Sequence, residues 1–414
     1  MRTVRLVTLR SVTLGLLALL ALAVLAPAAA QGADAGVPLV RMRDGHGSDL
    51  LFRLNPRTLQ QVGRPIRTFR NGAGLGFSPD GTRIAYSGGR GRHSRIHLVN
   101  LDRWRSLGIA GLGRRGSLSV DWASDDRLVA WTQFAERQRI FWIDARTRRV
   151  VARRSFSGWA MDAVHVPAGL VLPLVRREGV GPLRLVIADP QGGLRTIEVK
   201  GIDAGSSYDE PDGQVLTPAV TADPVSGRVY VIAARGLLAA EVDLASGAVS
   251  YHSLGASAAK GNIDVWWRTA TWAGDGRIAV TGDHWLPVRG RGPSDGPVPF
   301  GVRIIDTRTW SIATLDARPN SMHVAGETVL AAGTRWFDDG RRSTSTGLLA
   351  FDSSGERAFT RFRGLPVALL GSRGELGYAW VRRRRTAYVL DLRSGRTLHT
   401  IRTGNRVPFL LSPP

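Results

Sequence analysis

Short apolar runs recur along the chain, and each ends in an Asp or Asn that is followed by a turn. Apolar and polar positions alternate in many of these runs, and β-branched and aromatic residues are frequent, which predicts short strands. Successive runs end 39 to 63 residues apart. No long stretch after residue 30 has the helical apolar period. The runs are Leu51–Asn55, Ile96–Asp102, Ile140–Asp144, Leu185–Asp189, Ala240–Asp243, Val302–Asp306, Leu348–Asp352 and Ala387–Asp391.

A second strand–turn–strand pattern precedes most of these runs. It is clearest in Gly76–Tyr86, where Pro79, Asp80 and Gly81 predict a tight turn. Proline presets φ at such a turn and glycine accepts positive φ. Segments 120–131 and 271–280 have the same layout. Each unit therefore holds four short antiparallel strands in about 45 residues, which is typical of β-propellers.

The repeat also predicts how many blades there are and how the ring closes. Eight units can be counted, or seven if one weak unit is an elaboration of its neighbour. The first unit lacks its innermost strand, and the C-terminal run 406–411 is predicted to supply it. Closure matters because a ring of sheets otherwise leaves bare edges. The predicted fold class is all-β, a β-propeller of four-stranded antiparallel blades, eight by count.

The segment Ser78–Gly81 and the following Arg83–Tyr86 resemble the WD40-like repeat of TolB-type propellers. The resemblance is partial at 120–131 and 271–280 and is architectural elsewhere. The Trp-Asp dipeptide of true WD40 repeats is missing. The resemblance implies a binding platform more often than an enzyme, and fold alone does not decide function.

Long connections are predicted to lie together at one end of the blades. The turns between first and second strands, and between third and fourth strands, are short. The long connections join second to third strands, or one blade to the next. Functional residues are often found on such loops. These connections are 88–94, 133–138, 176–181, 201–214, 283–299 and 336–346.

The long connections are rich in arginine. The chain has 56 Lys and Arg against 34 Asp and Glu, a net charge of +22, and only Lys200 and Lys260 are lysines. Arginine pairs well with carboxylate, phosphate and sulfate. This excess equally fits a GC-rich coding bias. The hairpin Arg382–Arg385 adds to the basic charge of this face. The predicted binding residues are the arginines Arg90, Arg92, Arg114, Arg115, Arg289, Arg291, Arg341 and Arg342, with the aromatic anchors Trp285 and Trp336.

Acidic residues and one histidine in the long connections are candidates for a calcium site or a catalytic site. Asp209, Glu210 and Asp212 share one loop and could bind calcium, although they lack EF-hand spacing. His284, which follows Asp283, is the candidate catalytic histidine. There is no cysteine, the histidines have no zinc-motif spacing, and no cofactor is predicted. The glycines of Gly111–Gly116 match the dinucleotide fingerprint, but a strand follows them instead of the required helix.

Tryptophans within the predicted strands are expected to pack between blades, because large rings fill the wedge between adjacent sheets. In the pair Trp266–Trp267 the two side chains point to opposite sides of a strand, so at most one can face a ligand. The five tryptophans assigned to the core are Trp122, Trp131, Trp142, Trp272 and Trp380.

Residues 1–30 are predicted to be a secretory signal peptide. They contain a basic start, an apolar stretch and small residues at 28–30. A single membrane anchor is the alternative, although the apolar stretch is shorter than the roughly 20 residues that cross a bilayer. Residues 31–414 are then one propeller domain, secreted or at the cell surface, without a membrane span or a role in nucleic-acid binding, and monomeric.

Taken together, these features predict a secreted, non-enzymatic propeller that binds a protein or an anionic cell-surface polymer through its basic, loop-rich face. The alternative is an extracellular propeller enzyme, a lactonase, lyase or glycan hydrolase, with its site at the central channel. An enzyme requires at least two titratable groups within hydrogen-bond reach at that channel.

Overall fold

A computed structural model describes residues 39–43, 49–69, 74–88, 94–112, 118–132, 137–176, 178–206, 215–255, 265–285, 298–337, 342–403 and 409–411. These residues belong to one compact unit, Pro38–Pro414. The predicted signal peptide, residues 1–30, lies outside them. Among the described residues no helix is long and apolar enough to cross a membrane.

Almost all regular structure in the described residues is β-strand. The first part of the chain contains β1 (Leu39–Arg43), β2 (Asp49–Arg53), β3 (Ile66–Arg67), β4 (Leu75–Phe77), β5 (Arg83–Gly88), β6 (Arg95–Asn100), β7 (Arg105–Gly111), β8 (Leu118–Ser124), β9 (Arg127–Thr132), β10 (Arg137–Asp144), β11 (Val150–Ser157), β12 (Trp159–Ala160), β13 (Val164–Val166), β14 (Gly169–Val175), β15 (Gly179–Ala188), β16 (Leu194–Ser206) and β17 (Val215–Thr217).

The remaining strands continue the same pattern, and one 3₁₀ turn, Arg382–Arg384, interrupts it. The strands are β18 (Ala219–Ala222), β19 (Val229–Ile232), β20 (Leu238–Val242), β21 (Val249–Ser253), β22 (Val265–Gly274), β23 (Arg277–Trp285), β24 (Val298–Pro299), β25 (Val302–Asp306), β26 (Ser311–Asp316), β27 (Ser321–Ala325), β28 (Thr328–Phe337), β29 (Arg342–Phe351), β30 (Arg357–Arg361), β31 (Val367–Arg373), β32 (Leu376–Val381), β33 (Thr386–Asp391), β34 (Thr397–Arg402) and β35 (Phe409–Leu411).

The strands of the described residues form six four-stranded sheets and one sheet of 11 strands. Five of the four-stranded sheets are consecutive antiparallel meanders: β4–β7, β8–β11, β18–β21, β27–β30 and β31–β34. The long sheet joins β12–β16 to β22–β26 through β17, which pairs antiparallel with β16 and parallel with β22. First strands of neighbouring sheets contact one another, for example β4 with β8 and β27 with β31. These inner strands therefore lie towards a common centre.

The sixth four-stranded sheet contains both ends of the described chain. The C-terminal strand β35 pairs antiparallel with β1, with Leu411 opposite Leu39. The order of this sheet is β3-β2-β1-β35. The prediction that the C-terminal run supplies the missing strand of the first unit is therefore confirmed.

Antiparallel order gives each sheet two different ends. The turns between first and second strands, and between third and fourth strands, lie at one end, which we call the turn end. The hairpins between second and third strands, and the connections between sheets, lie at the other, which we call the loop end.

The Asp or Asn after each third strand caps the turn that follows it. The Asp144 carboxylate accepts hydrogen bonds from the backbone N–H and the hydroxyl of Thr147. Asn55 uses its amide oxygen in the same way. A local cap of this kind satisfies backbone donors that no strand partner reaches. In the second unit the cap is Asn100 instead of the predicted terminal Asp102. The other caps are Asp189, Asp243, Asp306, Asp352 and Asp391.

The turn at Ser78–Gly81 has the predicted geometry. Gly81 has a φ of 67°, a left-handed value that glycine adopts without strain. The Asp80 carboxylate accepts hydrogen bonds from the Ser78 hydroxyl, the Thr82 backbone N–H and the Arg83 guanidinium. These bonds lower the pKa of Asp80 although burial opposes them.

Buried tryptophans connect neighbouring sheets. The Trp122 indole N–H donates to the carbonyl of Gly76, 3.0 Å away in the preceding sheet, and the Trp142 indole donates to the carbonyl of Asp189 in the next. Both side chains are fully buried. Trp131 and Trp380 are also buried. The fifth predicted core residue, Trp272, is half-buried and stacks on Tyr230 with ring centroids 5.4 Å apart.

Candidate functional site

The predicted binding residues fall largely outside the described part of the chain. Trp285, Trp336 and Arg342 are at strand ends, where only their backbone is described. The acidic loop with Asp209, Glu210 and Asp212 also lies outside, and no cluster of metal-ligating residues occurs among the described residues. The predicted residues that lie wholly outside are Arg90, Arg92, Arg114, Arg115, Arg289, Arg291 and Arg341.

One basic hairpin of the predicted face is described in full. Arg382–Arg385 connects β32 to β33 at the loop end, and all four side chains are exposed. Arg385 has a φ of 52°, which closes the 3₁₀ turn in a left-handed conformation. The Arg384 guanidinium donates to the Tyr388 hydroxyl at 3.3 Å and lies 6.0 Å from the ring centroid of Phe362.

Most carboxylates in the described residues lie at the opposite, turn end. They occupy the turns between first and second strands and between third and fourth strands. At the loop end, Asp283 and Asp316 are buried, whereas Glu178 and Asp203 are exposed near the β14–β15 hairpin. The turn-end carboxylates are Asp80, Asp102, Asp125, Asp126, Asp144, Asp189, Asp223, Asp243, Asp275, Asp306, Glu327, Asp352, Glu356, Glu375 and Asp391.

A buried polar cluster lies where β22 and β23 reach the loop end. Trp266 pairs with His284 across the two strands, and Arg268 pairs with Gly282. Paired residues of an antiparallel ribbon share a face, and neighbours along a strand alternate. Trp266, Arg268 and His284 therefore lie on one face of the ribbon, and we call these three residues the Arg268 cluster.

Alternation in this ribbon separates the two tryptophans as predicted. Trp266 is 3% exposed, whereas Trp267 is 43% exposed. Trp266 stacks on His284 with ring centroids 4.8 Å apart.

Arg268 is almost fully buried, at 2% exposure. Its Nη1 donates to the backbone carbonyls of Trp267 and Asp283, at 3.0 and 3.2 Å. Its guanidinium carbon lies 3.7 Å from the ring centroid of Phe300. Gly282 lies opposite Arg268, where the two strands approach closely. A Cβ at Gly282 would lie 2.0 Å from the carbonyl oxygen of Trp267.

A second guanidinium shares the ring of Phe300. The guanidinium carbon of Arg303 lies 3.9 Å from the Phe300 centroid, and its Nε donates to the Phe300 carbonyl at 3.3 Å. Burial lowers the pKa of Arg268, and repulsion from Arg303 lowers it further, while Asp283 acts in the opposite direction. Arginine stays protonated in proteins even so, and two cations therefore lie close together.

Several polar atoms of this ribbon are buried without a hydrogen-bond partner. They are Trp266 Nε1, Arg268 Nε, Asp283 Oδ1 and His284 Nδ1. Buried polar atoms normally have partners, since an unsatisfied one costs about 1–3 kcal/mol. A similar group occurs in β9 and β10, at Arg127, Trp131 and Gln138. The β22–β23 ribbon differs because its unpartnered atoms lie beside the two cations on Phe300, which makes it a candidate site.

Burial sets the protonation of the two titratable neighbours. Desolvation raises the pKa of Asp283 to about 6, against the hydrogen bond from Asn320 and the charge of Arg268. Desolvation and the charge of Arg268 lower the pKa of His284 to about 4. At neutral pH His284 is therefore a neutral imidazole. No hydrogen bond between His284 and a carboxylate occurs among the described residues, so the candidate catalytic histidine lacks an acidic partner there.

Two further polar pairs connect inner strands. His165 Nε2 lies 3.1 Å from Asp121 Oδ1, which joins β13 to β8. Burial lowers the pKa of His165, but the hydrogen bond and charge of Asp121 outweigh it, so the pKa is raised. His323 Nε2 lies 2.7 Å from the Ser372 hydroxyl, between β27 and β31. Sequence reasoning missed both pairs, because each depends on contacts between sheets.

Comparisons with solved structures agree with this architecture. The structure described as dihydro-heme d1 dehydrogenase NirN in complex with DHE superimposes with a TM-score of 0.56 at 14% identity, over 92% of this chain and 75% of that chain. Apo AztD from Citrobacter koseri gives 0.52 at 13% identity, over 91% and 98%. Together with the sheet topology, these matches decide the fold.

The chain is a β-propeller. Its blades are four-stranded and antiparallel, as predicted. At such low identity the matches show the fold alone, and no protein-family model or curated protein matches the sequence. BamB from Moraxella catarrhalis, with a TM-score of 0.49 at 13% identity over 79% of this chain and 87% of that chain, supports no further argument.

The Arg268 cluster was only partly visible in the sequence. Asp283 and His284 stood out at the start of the longest loop, but Arg268 and Phe300 did not. The available signal was an arginine at an inward position of an apolar strand, two residues after Trp266. Recognising it requires the register of β22 against β23.

Proposed function

We propose that this propeller is a secreted, non-enzymatic binding platform for a protein or an anionic cell-surface polymer, and that the basic loop end is its binding surface. The exposed hairpin Arg382–Arg385 carries this proposal. Guanidinium groups bind carboxylate, phosphate and sulfate through paired hydrogen bonds. Turn-end carboxylates lie at the far end of the blades, so they do not neutralise this hairpin.

The proposal also covers the number of blades, the type of repeat, export and the oligomeric state. The ring has eight blades: six four-stranded sheets, and two more within the long sheet, one on either side of β17. The turn at Ser78–Gly81 supports a TolB-type, WD40-like repeat. Residues 1–30 direct export, and the mature chain acts as a monomer without a cofactor, outside the cytoplasm.

Binding to dextran sulfate, with neutral dextran as reference, tests the surface. The variant Arg382→Gln, Arg383→Gln, Arg385→Asn removes three charges, and asparagine tolerates the left-handed φ at position 385. We expect weaker binding to dextran sulfate and a flatter dependence on salt, because exposed charges act over about one Debye length.

The matched control removes three exposed charges at the turn end, by Arg57→Gln, Arg146→Gln and Arg396→Gln. This control should bind dextran sulfate better than the hairpin variant does. Equal affinity of the two variants would contradict a binding surface at the loop end. If dextran sulfate does not bind and a protein partner does, the same pair of variants tests the surface against that partner.

One observation favours an enzyme as the second candidate function. The pair Asp121–His165 provides two titratable groups within hydrogen-bond distance on inner strands, the requirement for a site at the central channel. A screen of fluorogenic lactones, uronide polymers and glycosides tests it, with His165→Gln and Asp121→Asn as variants and His399→Gln as control. Turnover that these two variants abolish would replace the binding-platform proposal.

A further inference from the structure

The Arg268 cluster presents hydrogen-bond donors on one face of the β22–β23 ribbon. Arg268 Nε and Trp266 Nε1 are obligate donors, and neither has a partner in the described structure. His284 Nδ1 is also unpartnered, and a neutral imidazole can carry its proton on that nitrogen. The buried carboxylate of Asp283 belongs to the opposite face, since it follows Gly282 and precedes His284 along the strand.

These three side chains are close enough to act on one small ligand. The Trp266 and His284 rings stack at 4.8 Å, and the guanidinium carbon of Arg268 lies 5.3 Å from the Trp266 centroid. Trp266 and Arg268 are each more than nine-tenths buried. His284 is half-buried, so it forms the outermost part of the cluster at the loop end.

Positive charge on this face lacks a matching carboxylate. Arg268 and Arg303 both lie on the ring of Phe300, and neither is in an ion pair among the described residues. Asp283 acts on Arg268 only at longer range, while one oxygen of its carboxylate accepts a hydrogen bond from Asn320 at 3.3 Å. Burying an unpaired cation costs several kcal/mol, and an anion beside Arg268 would offset that cost.

We propose that Trp266, Arg268 and His284 form a binding site for a single oxyanionic group, a carboxylate or a phosphate, at the loop end of the propeller. Arg268 supplies the charge and one N–H, Trp266 supplies an indole N–H, and His284 supplies the third donor as a neutral imidazole. The donors are rigidly placed, because Phe300 and two backbone carbonyls hold the guanidinium. This site does not depend on the basic hairpin of the proposed function.

A cation is excluded by the same geometry. The two obligate donors have no lone pair to offer a metal, and the guanidiniums of Arg268 and Arg303 would repel it. An uncharged group would satisfy the donors but would leave the buried positive charge unbalanced. An oxyanion does both, and its several oxygens allow simultaneous hydrogen bonds to the guanidinium and the indole.

Thermal unfolding and calorimetric titration of the full chain with sodium acetate and with inorganic phosphate test the site, with ionic strength held constant by sodium chloride. We expect a saturable rise in Tm with at least one of the two anions. Acetamide and chloride are the neutral and halide references. A preference for acetate points to a carboxylate ligand, and a preference for phosphate to a phosphate group.

Two variants separate binding from folding. Arg268→Gln removes the charge and should weaken binding at least tenfold. Trp266→Phe keeps the stack on His284 but lacks the indole N–H, and should weaken binding about tenfold, the equivalent of one charge-assisted hydrogen bond. The hairpin variant of Arg382, Arg383 and Arg385 should bind the anion as the unmodified chain does, which distinguishes this site from the loop-end surface.

The protonation of His284 gives a readout that a structural role would not produce. An anion beside the imidazole favours its charged form, so saturating acetate or phosphate should raise the pKa of His284 in an NMR titration. The proposal is overturned if neither anion has a saturable effect, if Trp266→Phe leaves the affinity unchanged, or if a high-resolution crystal structure at saturating anion shows only an ordered water on these nitrogens.

Discussion

The turn end of the propeller and the Arg268 cluster differ in whether their polar groups have hydrogen-bond partners. At the turn end, each Asp or Asn after a third strand accepts hydrogen bonds from its own turn, and the arrangement repeats from blade to blade. In the Arg268 cluster, Trp266 Nε1, Arg268 Nε and His284 Nδ1 are buried without a partner, beside two close cations. Repeated, satisfied polar groups serve the fold, whereas unsatisfied donors beside an unpaired cation point to a ligand.

The largest effect should come from Gly282→Ala. Its Cβ would lie 2.0 Å from the carbonyl oxygen of Trp267, so the ribbon must shift. We expect the free energy of unfolding in urea to fall by about 3 kcal/mol, and the oxyanion response to disappear. Gly111→Ala is the control, because no atom lies within 4 Å of its added Cβ. A shift for Gly282→Ala as small as that of the control would show that close packing of the ribbon is unimportant.

Asp283→Asn should have an effect of intermediate size, and it should increase the stability of the protein. The pKa of Asp283 is raised from 3.8 to about 6 by burial, so native-state stability falls as pH rises between these values. Asparagine keeps an acceptor for Asn320 and removes the buried charge. We expect the free energy of unfolding to increase by about 1–2 kcal/mol at pH 8, a figure that allows for solvent screening.

Little or no gain from Asp283→Asn is expected at pH 4.5, where the native carboxyl is largely protonated. Urea unfolding of both proteins at the two pH values measures the difference. A loss of stability at pH 8 would instead show that the Asp283 charge is needed to balance Arg268.

The smallest change in stability should come from replacing aspartates by asparagine at the turn end. Hydrogen bonds lower the pKa of Asp144, Asp306 and Asp391 below 3.8. Their contribution is therefore complete above 3.8 and is lost as pH falls through their lower native values. The triple Asp→Asn variant keeps the caps, as Asn55 and Asn100 do, and should flatten the fall of Tm below pH 4. If Tm falls below pH 4 as steeply as in the unmodified protein, other carboxylates govern acid unfolding.

The repeat made the blade architecture predictable, because strand periodicity and turn chemistry are local properties of sequence. The turns after Asp144 and Asp391, the turn at Gly81 and the pairing of β35 with β1 all followed from it. Tryptophan packing was also predictable, since Trp122 and Trp142 lie on strands whose alternation is clear.

The candidate site was less predictable because it depends on register and on distant contacts. Trp266 meets His284 only when β22 and β23 are aligned, and Arg268 contacts Phe300, which follows β24. Asp121 and His165 come together across two sheets. None of these contacts is encoded by spacing along the chain, and the predicted arginines of the long loops remain a prediction.

The pairing of Phe409–Leu411 with Leu39–Arg43 has a consequence for how the molecule assembles. This seam joins segments from opposite ends of the described chain, so forming it closes a loop that contains nearly all of the other strands. Contacts of such long sequence separation form slowly. Until then the first sheet presents an unpaired edge that could recruit a strand from another molecule. The three paired residues of β35 cover this edge, and we expect forced unfolding to begin at this short pairing.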